Sequence, residues 1–166
     1  MHEAADYLVC AVLIGAGATA LLDLWAAARD RLLGRPPMDY GLVGRWLGYM
    51  TRGRFRHDPI AASPPLPGER LIGWTAHYLI GIAFAGLLLA VWGLDWARRP
   101  TVGPALILGF GSVAAPFLLM QPGMDAGIAA GRTPDPAAAR LRSLVAHGVF
   151  GLGLYAAAWV TRYLYL

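Results

Sequence analysis

The run LIGWTAHYLIGIAFAGLLLAVWGL, Leu71 to Leu94, decides the fold. Its only ionisable groups are His77 and Tyr78. It is long enough to cross about 30 Å of hydrocarbon at about 1.5 Å per residue. A run this long and this apolar spans as a helix, because lipid offers no partner for open backbone groups. Three further stretches qualify. One runs from Tyr7 to Ala28 and is interrupted only by Asp23. Another, Val102 to Gln121, has no charge but holds Pro104 and Pro116. The last, Leu144 to Thr161, contains His147. Its helix is expected to begin earlier, because Asp135-Pro136 supplies an N-cap followed by proline at the first helical position.

The whole composition agrees with this reading. Hydrophobic residues make up 57% of the 166 and charged residues 14%. A soluble domain carries about 25% charged residues. The mean hydropathy is +0.50. These values exclude an ordinary cytosolic enzyme, a disordered tail and a secreted disulfide scaffold. Cys10 is the only cysteine and sits inside an apolar run, so no disulfide framework exists within the chain. Met1-His2-Glu3-Ala4-Ala5-Asp6 carries no positive charge before the first span, which is therefore read as a retained helix and not a signal peptide. The fold class expected is all-α: four transmembrane helices in a compact bundle, forming a single transmembrane domain.

All 14 basic residues are arginine. Eleven lie between spans one and two or between spans three and four, while Arg98, Arg99 and Arg162 lie on the other side. This positive-inside bias puts the long loop, residues 34–69, in the cytoplasm and both termini in the periplasm or outside. Topology accounts for the arginines more simply than nucleic acid does. Six prolines force much of the loop into extended or turned backbone: Pro36, Pro37, Pro59, Pro64, Pro65 and Pro67. In its middle, Leu42, Val43, Trp46, Leu47 and Met50 recur at helical spacing after Asp39, a good N-cap. This short helix either lies on the inner leaflet or packs as a lid on the helix ends. In the leaflet reading, Arg45, Arg52, Arg54 and Arg56 contact anionic lipid headgroups.

Comparing depths brings polar residues together. His77 lies seven residues after Arg70, His147 five after Arg142, and Asp23 six before Arg29. All three then sit roughly 8–10 Å inside one boundary, where span three ends at Gln121. Asp23, His77, Gln121 and His147 form the candidate intramembrane cluster, since ionisable groups in a bilayer face the protein interior or water. Each histidine has small residues four positions away: Gly73 and Gly81 for His77, Ser143 and Gly151 for His147. Such gaps admit either a neighbouring helix or a flat cofactor, such as haem held by two imidazoles. Gly15-x-x-x-Thr19 and Gly153-x-x-x-Ala157 favour helix packing. Two histidines and a carboxylate also suit a divalent metal, although no HxxxH or ExxH pair is present. His57-Asp58-Pro59, among Arg52, Arg54 and Arg56, reads as a solvated turn. There is no phosphate-binding loop, no CxxC and no GxSxG elbow, so no catalytic residue is assigned.

Several segments together resemble a known family. They are Asp23-Leu24-Trp25, Asp39-Tyr40-Gly41-Leu42-Val43-Gly44-Arg45-Trp46, Gly53-Arg54-Phe55-Arg56-His57 and Gly73-Trp74-Thr75-Ala76-His77-Tyr78. Gln121-Pro122-Gly123, Arg140-Leu141-Arg142-Ser143 and His147-Gly148-Val149-Phe150-Gly151-Leu152-Gly153-Leu154-Tyr155 continue the match. The chain resembles the bacterial integral membrane family called domain of unknown function 2938. That resemblance implies a multi-pass protein of the bacterial inner membrane and no established activity. Three functions stay open from the residues: moving or sensing a proton, ion or small solute through the cluster; binding haem or a metal; or acting as a structural or assembly partner. The expected partners are the lipid bilayer and, still open, a second copy of the chain; nucleic acid is not expected.

Overall fold

The computed structural model describes residues 2–34 and 36–166; Met1 and Arg35, one of the loop arginines, lie outside them. The chain is helical: α1 (His2–Leu33), α2 (Tyr40–Met50), α3 (Glu69–Trp92), α4 (Leu94–Arg98), α5 (Val102–Gly111), α6 (Gln121–Gly123) and α7 (Pro136–Leu164). Short 3-10 turns occupy Ile60–Ala62 and Ile128–Ala130. Four stretches are long and apolar enough to cross a membrane: Glu3–Leu33, Glu69–Trp92, Val102–Gly123 and Pro136–Leu164. This is a membrane protein. Large apolar side chains on those helices stay exposed, Leu8 at 63%, Leu79 at 59%, Ile107 at 64% and Val160 at 58%, and in lipid such exposure costs nothing.

Helix ends follow local chemistry. Asp39 caps α2 by accepting from the Gly41 N–H at 2.8 Å, and Asp135 caps α7 by accepting from the Ala138 N–H at 3.0 Å. The second span stops two residues earlier than the apolar run suggests. Gly93 adopts φ 78°, a left-handed conformation that ends α3 and lets α4 start. The third span is interrupted. Pro116 has no N–H to give the Ser112 carbonyl, which instead accepts from Ala115 at 3.1 Å. The helix resumes with a π-helical stretch over Pro116–Met120.

The chain divides into two compact units. The first comprises residues 1–37, 78–111 and 146–166. In it, segments of all four spanning helices pack as a bundle around Ile14, Leu88 and Leu154, each fully buried. Small residues bring the helices close. A Cβ on Gly15 would meet the Gly81 carbonyl at 2.8 Å, and one on Gly153 would meet the Ala18 carbonyl at 3.0 Å. Close backbone approach of this kind supplies the dispersion contacts that hold helices together in lipid. The buried Thr19 and Thr161 hydroxyls satisfy themselves on carbonyls four residues back, Gly15 at 2.8 Å and Ala157 at 2.9 Å.

The second unit comprises residues 38–77 and 112–145. Here α2 packs along the start of α3, burying Gly41, Val43, Gly44 and Trp46. A Cβ on Gly44 would overlap the Glu69 carbonyl, and one on Gly73 would overlap the Tyr40 carbonyl. Helix α2 thus lies on the first turns of α3, and Arg45 is engaged within the protein. Its guanidinium grips Glu69 through two bonds of 2.8 Å and the Ser63 carbonyl at 2.9 Å. Arg52 and Arg54 lie over the Tyr49 ring, each 5.7 Å from its centre.

Candidate functional site

Helix α2 begins at Tyr40, and the Asp39 cap fixes the direction in which it starts. In the same unit the Tyr40 hydroxyl meets His77 Nε2 of α3 at 3.0 Å. The two rings stack with centroids 4.2 Å apart and planes at 29°. Trp74, one turn before His77, closes the group at 4.6 Å from Tyr40 and 5.8 Å from His77. The histidine therefore sits in an aromatic nest with one ring nitrogen engaged by a hydroxyl. A tyrosine hydroxyl and an imidazole each donate or accept, so the hydrogen bond between them can run in either direction.

The other predicted residues take different partners. Asp23 accepts a hydrogen bond of 3.0 Å from the Tyr78 hydroxyl in the first unit. Gln121 donates to Ser143 at 3.5 Å in the second unit, while its Oε1 is buried without a partner. His147 belongs to the first unit and hydrogen-bonds the backbone of Gly109. Among the described residues, no three His, Cys, Asp or Glu side chains converge as a metal site. The spaces beside the histidines are filled by helix. Gly151 admits α5, whose Gly109 would carry a Cβ 2.6 Å from the Gly151 Cα. Gly73 admits α2, and Gly81 admits the Gly15 and Thr19 turn of α1. The flat slot expected for haem is taken at each of these glycines by a neighbouring helix, and Tyr40 engages the His77 nitrogen that would bind iron.

His57 is a second correction. It is 1% exposed, not a solvated turn. Its N–H donates to the Gly123 carbonyl at 3.0 Å, its Nδ1 meets Ser63 Oγ at 2.8 Å, and the Tyr49 ring lies 5.0 Å away. Burial pushes its pKa below the ordinary imidazole value and the Arg54 charge acts the same way. The Arg54 backbone favours the charged form, yet Nε2 meets no partner in hydrogen-bonding geometry.

Residues 12–161 match the family described as Protein of unknown function (DUF2938). The chain belongs to that family. No curated protein and no solved structure matches it. For this DUF2938 member, then, the site must be read from its own residues. Sequence reasoning missed Tyr40, although Asp39-Tyr40-Gly41 stood in the family-like segment. The available signal was a tyrosine at the first position of a capped helix whose Gly41 and Gly44 allow close packing.

Proposed function

We propose that this protein senses a proton, or couples one to a small ion or solute, at the loop end of its membrane helices. The sensing element in this reading is the Tyr40–His77 pair. The observation that carries it is the 3.0 Å contact between a lid-helix hydroxyl and an imidazole on a spanning helix. Imidazole is the side chain that changes charge near neutral pH. Once protonated, the ring offers only N–H donors, so the Tyr40 hydroxyl has to accept instead of donate. The new charge also lies against the face of Tyr40. Tyr40 is the first residue of α2, so this change acts directly on how the lid sits.

The eleven-to-three arginine split supports a bacterial inner-membrane protein with both termini periplasmic or extracellular. The lid then faces the cytoplasm and reads cytoplasmic pH. A reporter enzyme fused after Leu166 tests the orientation; one that works only in the periplasm should be active, and a fusion that is produced but inactive would overturn it. Tyr40→Phe tests the sensing pair. It keeps the stack and removes the hydroxyl, at a cost of about 1 kcal/mol. The expected result is a docked α2 whose stability changes less with pH than in the parent protein. A pH response as large as the parent protein's would contradict the role assigned to the hydroxyl.

A further inference from the structure

The second unit holds a cleft of about 320 Å³ that the Tyr40–His77 reading does not use. Arg56, His57, Asp58, Pro122, Ile128 and Arg132 are among the residues that line it. Pro122 stands at the end of the third span and Ile128 is 67% exposed, so the cleft opens where a membrane helix meets polar loop. Arg56 and Arg132 bring two guanidinium groups to this cleft. Arg132 donates from Nη1 to Asp125 at 2.8 Å on a side chain that is 70% exposed, which leaves its other nitrogens for a ligand. His57 supplies an independent sign. It is 1% exposed, and its Nε2 is buried with no hydrogen-bond partner. In the tautomer where the Ser63 hydroxyl donates to Nδ1, Nε2 carries the ring proton and meets no acceptor. A buried donor left this way is costly unless water, an ion or a ligand supplies the acceptor.

We propose that this cleft binds a phosphate group, held by Arg56 and Arg132 and by a hydrogen bond from His57 Nε2. Guanidinium forks match phosphate oxygens in shape as well as in charge. Asp58 adds an acceptor to the same wall, which suits a phosphodiester whose headgroup carries hydroxyl donors. The phosphate is that of a lipid headgroup or of a free anion. The site is separate from Tyr40 and His77 in its residues, so either reading can fail alone.

The test uses the full chain in uncharged maltoside micelles and follows melting by tryptophan fluorescence. Phosphatidylglycerol and sodium phosphate are titrated separately, against sodium chloride at matched ionic strength. Stabilisation by phosphatidylglycerol alone identifies a lipid site, and stabilisation by both identifies a site open to free phosphate. In either case Arg56→Gln should weaken the apparent affinity about tenfold, as loss of a charge-assisted bond predicts. Arg56 is exposed, so this variant should fold. Arg132→Gln should weaken binding similarly. No stabilisation beyond chloride, or stabilisation unchanged in both variants, overturns the proposal.

Discussion

Gly44→Leu should detach the lid helix. A Cβ at this position would overlap the Glu69 carbonyl and come within 2.6 Å of the Gly73 N. Both obstacles are backbone, so no rotamer change relieves them. The helices must separate, giving up their close backbone approach at Gly44 and Gly73 and the alignment of Tyr40 with His77. Overpacking of this kind costs about 3 kcal/mol, and a backbone clash sits at the upper end. The expected readings are a lowered melting temperature and new protease cleavage within residues 34–69. Gly111→Ala is the control, because a Cβ there meets nothing within 4 Å. It should be neutral or slightly stabilising, as alanine is the better helix former. If Gly44→Leu behaves like Gly111→Ala, α2 is not packed on α3 as described.

Arg45→Ala should be nearly as damaging. The side chains of Arg45 and Glu69 are only 11% and 17% exposed, and they meet through paired bonds of 2.8 Å. Removing the guanidinium leaves a half-buried carboxylate with the Leu66 N–H at 2.9 Å still bound to it. It also strips the Ser63 carbonyl of its donor. The combined cost is about 2–4 kcal/mol, since an unpaired charge in a partly desolvated site is worse than no charge. Arg45→Lys should recover less than half, because an ammonium cannot make the two-pronged contact. Adding Glu69→Ala to Arg45→Ala should cost less than the two single losses together. Equal melting temperatures for Arg45→Ala and the parent protein would show the bridge to be incidental.

The four spans were legible because each is a local property: a long apolar run with few charges. So were the caps at Asp39 and Asp135, which act within three residues. The interruption of span three was half legible. Pro116 is visible in the sequence, but its effect falls four residues earlier, at the Ser112 carbonyl. Contacts between distant segments were not legible. Tyr40 and His77 are 37 residues apart, and Arg45 and Glu69 are 24 apart. Both pairings depend on the path of a proline-rich loop that no periodicity describes. His57 misled because its arginine neighbours suggest solvent, whereas its backbone bond to Gly123 draws it inside. The glycines beside the histidines were read as gaps open to a helix or to a flat cofactor. The identity of what approached, α2 at Gly73 and α5 at Gly151, required the structure.

In the proposed reading, protonation at His77 changes the docking of α2. Hydrogen exchange of the amides in residues 40–50, in lipid nanodiscs, measures this directly. Rates at about pH 8 and about pH 6 bracket the imidazole range once corrected for intrinsic exchange. The predicted result is that protection of α2 differs between the two in the parent protein. In His77→Gln, which keeps a hydrogen-bonding side chain but cannot take a proton in this range, the two pH values should agree. Protection of α2 that is the same at both pH values in the parent protein, or a difference that persists in His77→Gln, would contradict the account.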